Sequence, residues 1–159
     1  MATEALTRAL DDAGVAYELI PHAHTESAAA EADALGLAAA DVAKTLVLTT
    51  PAGYRRAVIP ADCRIDTHKV RDLVGAAGKQ VQLASEDDMR RDYADFELGA
   101  VPPLGGSRLD PVIVDRRVAD RDTIVLEAGS HDQSIRLVPA ELIRAAQAEV
   151  ADICKEEER

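Results

Sequence analysis

Gly99-Ala100-Val101-Pro102-Pro103-Leu104-Gly105-Gly106 is neither a helix nor a central strand. Each proline fixes its own φ at about −65° and pushes the residue before it toward extended geometry, so Val101 and Pro102 are expected to be extended. The glycines at both ends permit turns that other residues resist. The stretch reads as a stiff loop whose amides (Gly99, Ala100, Leu104, Gly105) and free carbonyls can face a ligand. Taken alone, a plain structural turn is the simpler reading, so its surroundings decide.

Beyond the loop, Val112-Ile113-Val114-Asp115 is an apolar run typical of a buried strand. Arg116-Arg117 and Asp120-Arg121-Asp122 read as a charged surface connector. Thr123 to Glu127 and Ser134 to Val138 read as strands around the turn Ala128–Asp132. Pro139 opens a last helix with Leu142, Ile143, Ala146, Val150 and Ile153 on one long apolar face. Before the loop, Thr3 is a fair cap for a helix with Leu6, Ala9, Leu10 and Ala13 on one stripe, stopped at Gly14. Val15 to Ile20 alternates like a strand. Thr25 can cap an alanine-rich helix over 26–35, with a second short helix around 38–43. Lys44–Thr50 and Tyr54–Pro60 predict a hairpin around Pro51-Ala52-Gly53. Asp66 caps a helix within 65–75, Lys79–Leu83 is a short strand, and Ser85 caps an acidic helix from Glu86 to about Tyr93.

The sum is an α+β, or mixed α/β, single domain over residues 1–154 with a frayed tail at 155–159. About six or seven strands are expected in one mixed sheet packed with helices. The chain has 159 residues, enough for one real core. It is 47% hydrophobic but only 3% aromatic, with no tryptophan, so the core is aliphatic and stacking platforms are not a main recognition device. No apolar run is long enough for a membrane span, and the N-terminus lacks a signal-peptide pattern. Cys63 and Cys154 read as reduced thiols of a cytoplasmic protein. A net charge of −11 argues against general affinity for phosphate backbones. Lys44, Arg55, Arg56, Arg64, Lys69 and Arg71 could form a local basic patch; ordinary solvated faces are the alternative.

Lys44 is a single lysine at the mouth of the strand Lys44-Thr45-Leu46-Val47-Leu48. With Gly99-x-x-x-Pro103-Leu104-Gly105, this strand resembles the YbaK/prolyl-tRNA synthetase-associated domain family. The resemblance runs over roughly residues 3–153. Its ordered elements are the lysine strand, Val58-Ile59-Pro60, the glycine–proline loop, Val112-Ile113-Val114-Asp115 and Glu127-Ala128-Gly129. It implies an editing domain with aminoacyl-tRNA deacylase activity, needing no cofactor or metal. The implied partner is the aminoacyl-tRNA 3′ end, with an aminoacyl-tRNA synthetase as a second one and neither membrane nor DNA. A binding module that keeps the fold without the chemistry is the alternative.

Lys44 matches the family's catalytic lysine. A cation at a pocket mouth can anchor a phosphate or stabilise charge developing on an ester carbonyl; a lysine snorkelling from a strand end is the plain alternative. The loop residues Gly99, Ala100, Pro103 and Gly105 would position the 3′ adenosine, the carbonyl or a water through their main chain. The family is thought to work largely this way, with the substrate's own ribose hydroxyl assisting. Asp115 would orient Lys44 or cap a turn. Glu127, Gly129, His131 and Ser134 match the wall that helps select the amino acid. Members acting on cysteinyl-tRNA carry serine and aspartate where this chain aligns Glu127 and Ser134, so the departure leaves the amino acid open. His24 resembles a position near the pocket entrance, or is a surface connector. His22-x-His24 lacks a third ligand at recognisable spacing. No G-x-S-x-G is present, and neither cysteine has a neighbouring histidine in sequence.

Overall fold

The computed structural model describes residues 2–76 and 80–156. Among them, helix α1 (Ala2–Asp12) leads into β1 (Tyr17–Pro21) and α2 (Ala28–Leu35). A 3-10 turn (Ala39–Asp41) precedes the hairpin of β2 (Ala43–Thr50) and β3 (Gly53–Pro60). Then come α3 (Thr67–Val74), β4 (Gln82–Leu83) and α4 (Glu86–Asp92). After the glycine–proline loop follow β5 (Val112–Asp115), α5 (Arg116–Ala119), β6 (Ile124–Glu127), β7 (Gln133–Leu137), α6 (Pro139–Ala146) and β8 (Glu149–Ala151).

The α+β class holds, with the strands divided between two sheets. One has the order β1-β7-β6 and is antiparallel. The other has the order β4-β2-β3-β5-β8, in which β5 runs parallel to both its neighbours. The sheets touch where Val42 bridges Val125 in parallel. Between them lies the main core of Leu6, Leu10, Val58, Val112, Val114, Ile124, Leu126, Ile135, Leu137 and Leu142. The other face of the larger sheet buries Leu48, Ala57, Ile59 and Ile113 against Val70 of α3 and Ile153. With both faces covered, β5 has to be continuously apolar, which is how its sequence reads.

The helix caps anticipated at Asp66 and Ser85 are formed, the latter as a reciprocal capping box with Asp88. Four expectations are corrected. Ser27, not Thr25, caps α2; the Thr25 hydroxyl bonds the His131 carbonyl instead. The short helix around 38–43 is only a 3-10 turn at 39–41. Arg116 and Arg117 belong to a helical turn, because the Asp115 carboxylate accepts from the Arg117 amide and starts it. The last helix stops at Ala146, because Gln147 takes a left-handed φ of 50° and closes it. Val150 therefore lies on β8 beside Val114, and Ile153 enters the second core by a different route.

Arg55 and Arg56 are not equivalent surface charges. Arg56 is 2% exposed, and its guanidinium donates to the Pro102, Gly105 and Arg108 carbonyls. Lys69 is engaged by Asp152, the Cys154 carbonyl and Glu156. The expected strand at 79–83 is described only at Gln82–Leu83; Lys79 lies outside the described residues. Of the tail, Lys155 donates from its amide to Arg64, and residues 157–159 lie outside the described ones. No described helix is long and apolar enough to cross a membrane.

Candidate functional site

The Val42–Val125 bridge sets where Lys44 lies. Those two valines share a face with Ala28 and Ala32 of α2. Side chains alternate along a strand, so Lys44 and Glu127, each two residues further on, project from that same face. Lys44 Nζ reaches the Ala61 carbonyl at 3.5 Å, a long contact, and has no ion-pair partner among the described residues. Its ammonium therefore keeps donors for a ligand.

Glu127 pairs across the β6–β7 ladder with Ser134. The Ser134 hydroxyl bonds Glu31 Oε2 from α2 and lies 2.7 Å from His22 Nε2. His22 Nδ1 faces the Ala23 carbonyl at 2.6 Å. A carbonyl only accepts, so this nitrogen donates. On the next turn, His131 Nδ1 lies 2.9 Å from Glu127 Oε2. Its Nε2 is 2.7 Å from the Leu98 carbonyl, to which it donates.

Glu31, Glu127, His131 and Ser134 are all buried. Burial pushes Glu127 up to about 7, reinforced by the negative charge of Glu31 and opposed by His131. Glu31 is raised by burial, against its Ser134 bond and the two histidines. For His131, burial disfavours the charged ring, but the Leu98 carbonyl and the carboxylates of Glu127, Glu97 and Glu26 outweigh it, so the net shift is upward.

The glycine–proline loop divides in two. Its start is clipped to the β6–β7 turn: Glu97 donates from its amide to Gly129, and Glu97 Oε2 accepts from the His131 amide. Gly99, at φ +84°, leaves bare backbone beside the His131 ring; a Cβ there would lie 3.5 Å from the ring. Leu98, Gly99 and Val101 face Thr45, Leu46 and Val47 across an apolar hollow of about 260 Å³. The Ala100 amide is used internally, donating to the Glu97 carbonyl. The far end turns away. Pro103 and Gly105 line a separate hollow of about 380 Å³ with Arg56. Gly105 also packs so closely on α1 that a Cβ would fall 2.5 Å from the Ala5 carbonyl oxygen.

Of the residues singled out from sequence, Lys44, Gly99, Glu127, Gly129, His131 and Ser134 are thus drawn toward one region. His24 adjoins it, with ring centroids 5.2 Å from His131. Pro103 and Gly105 are not in that group, and Asp115 is committed elsewhere. It accepts from the Arg117 and Ile153 amides and pairs with the Arg117 guanidinium. Glu31 was not anticipated. Its signal was legible: it falls on the same helical stripe as Ala28, Ala32 and Leu35, a charge on an otherwise apolar face. Glu97, the clip, carries no such mark. No metal-binding cluster of His, Cys, Asp or Glu occurs among the described residues.

Comparisons with known proteins give the family and the fold. Residues 22–145 match the sequence profile of the aminoacyl-tRNA editing domain. The chain superposes on the crystal structure of the hypothetical protein APE2540 with a TM-score of 0.87 and 26% identity, covering 96% of this chain and 100% of that one. A structure described as a candidate trans-editing enzyme for prolyl-tRNA synthetase superposes with a TM-score of 0.87, at 24% identity and over 98% of each chain. At that identity the second likeness speaks for the fold.

Proposed function

Given that this chain belongs to the aminoacyl-tRNA editing domain family, we propose that it is a trans-editing aminoacyl-tRNA deacylase. It hydrolyses the ester that joins a wrong amino acid to the terminal ribose of a tRNA. The observation that carries this reading is the meeting of Lys44's strand with the Gly99 end of the loop. Thr45–Val47 and Leu98–Val101 bound one hollow, while Lys44 and Glu127 share the adjoining face.

Ester hydrolysis by water places negative charge on the carbonyl oxygen and releases a carboxylate and the ribose alcohol. The Lys44 ammonium stabilises that oxygen or anchors the neighbouring phosphate. Preorganised donors of this kind are worth roughly a hundred- to a thousand-fold in rate. Gly99 lets the ester lie against bare main chain, and His131 fixes the loop's approach through the Leu98 carbonyl. Such an enzyme is useful because a synthetase separates amino acids differing by one methylene by only about 1–3 kcal/mol. The free thiols Cys63 and Cys154 suit a cytoplasmic setting, where charged tRNA is used.

A second reading is a module that binds tRNA or protein without turnover; the charge of −11 and the buried or paired state of Arg56 and Lys69 favour its protein-binding form. The two are separated by incubating the protein with a panel of mischarged tRNAs and following release of labelled amino acid. Enzyme-dependent release from at least one member supports the deacylase. No release from any member, together with no gel shift of tRNA at low salt, supports the module.

A further inference from the structure

Glu31 has no role in the mechanism above, yet it is fully buried and its Oε1 has no hydrogen-bond partner among the described residues. An orphaned buried acceptor costs about 1–3 kcal/mol, and more when charged. Such a cost within the group that joins Glu31 to Ser134, His22 and Glu127 points to a donor that arrives with the ligand. Ser134 holds the other oxygen of Glu31, and Glu127 sits opposite Ser134 on the neighbouring strand. The solvent side of this group is bounded by the part-exposed His22 and the exposed His24.

The partners already present indicate what kind of donor is missing. Glu31 already reaches an imidazole, through Ser134 to His22. Glu127 has its own in His131 at 2.9 Å. With an imidazole in reach of each carboxylate, what is missing is one hydrogen-bond donor at Glu31 Oε1. A cation would have to be stripped of water and held where no unpaired charge awaits it. A neutral hydroxyl supplies the hydrogen bond at much smaller desolvation cost.

We propose that Glu31, seated by Ser134, is a specificity-determining residue that accepts a hydrogen bond from a side-chain hydroxyl, making seryl and threonyl esters the preferred substrate class. This rests on the deacylase reading and deepens it. A site built to pair with a hydroxyl rejects the apolar isostere, because the isostere leaves the buried acceptor unmet. Alanyl and valyl esters are the near-isosteres that lack the donor.

The test is calorimetric binding of non-hydrolysable 3′-aminoacylamido-adenosine analogues carrying serine, alanine, threonine or valine. The proteins compared are the wild type, Glu31→Leu and Glu31→Gln, each checked for folding by circular dichroism. The expected wild-type preference is roughly ten- to a hundred-fold for serine over alanine and for threonine over valine, from the cost of one unmet acceptor. It should fall to near unity in Glu31→Leu. In Glu31→Gln it should survive in part, since an amide oxygen still accepts. Equal binding of seryl and alanyl analogues by the wild type overturns the proposal. So does an unchanged preference in Glu31→Leu. Equal binding that N-acetylation of the analogues abolishes would assign Glu31 to the α-ammonium instead and also overturns it. Release of amino acids from mischarged tRNA with no hydroxyl preference sinks this inference while leaving the deacylase standing. A hydroxyl preference in binding without hydrolysis of any mischarged tRNA does the reverse. No binding of any analogue sinks both.

Discussion

At the scale of single residues, the loop's two ends depend on glycine for different reasons. Gly99 keeps backbone open beside His131, whereas Gly105 is a packing necessity. A methyl group on Gly105 would meet the Ala5 carbonyl at 2.5 Å, at a φ of +92° that side chains resist. Gly105→Ala should therefore destabilise the fold by about 2–4 kcal/mol, combining left-handed strain with overpacking. Urea denaturation measures it; a loss under about 0.5 kcal/mol would show that α1 and the loop are not locked together. Arg56 works with Gly105. Its planar fork supplies donors to carbonyls at Pro102 and Gly105 that would otherwise be stranded. An arginine read from sequence as a candidate for tRNA contact is thus a strut of the loop.

At the scale of elements, the places where sequence and structure part have local causes. Helices α3 and α4 and strand β5 were legible because capping residues and an apolar run each name one structure. The last helix was overextended because Val150 and Ile153 keep its 3.6-residue rhythm by coincidence. The break comes at Gln147, which is not a glycine and gives no warning. That residue is exposed and is the one non-glycine with positive φ among the described residues. Gln147→Gly should accordingly stabilise the protein by about 1 kcal/mol, and Gln147→Val should weaken it by a similar amount. Thermal melts of both variants check the pair; a lower melting temperature for the glycine variant would contradict the left-handed closure of α6. In the candidate site, Lys44, Gly99 and Glu127 are reachable through the family's ordered motifs, and His131 and Ser134 through the wall they match. The Glu97 clip is not, since its role is set by a turn 32 residues later in the chain. The sequence leaves Asp115 between two roles; one of its oxygens accepts from the Arg117 amide in the helical turn after β5 and the other from the Ile153 amide.

At the scale of the molecule, the buried carboxylates should shape the stability curve. Glu31, Glu127 and His131 all have raised pKa values, Glu127 to about 7. The folded protein then binds more protons than the unfolded chain from the ordinary carboxylate range up through about 7. Stability must fall as pH rises across that window. On the acid side, Asp92 is lowered to about 2 by Arg91 and Tyr54, and Asp88 is lowered by Ser85 and Arg91. Those groups lose their contribution as pH falls through their range. The melting temperature should peak near pH 5 and decline toward pH 8, and Glu127→Gln should flatten the decline. A wild-type curve that rises from pH 5 to 8 would contradict the buried-cluster description. The charge of the whole constrains the proposed function: a chain at −11 cannot grip a tRNA broadly, so the deacylase reading requires recognition concentrated at the aminoacylated end.

The central claim is that Lys44 and the Gly99 end of the loop act together on an aminoacyl ester. Single-turnover hydrolysis of a mischarged tRNA by wild type and by Lys44→Ala, both confirmed folded, tests it most directly. The account predicts a rate roughly a hundred- to a thousand-fold lower in the variant. Equal rates would remove the lysine from the chemistry and with it the mechanism proposed for this site.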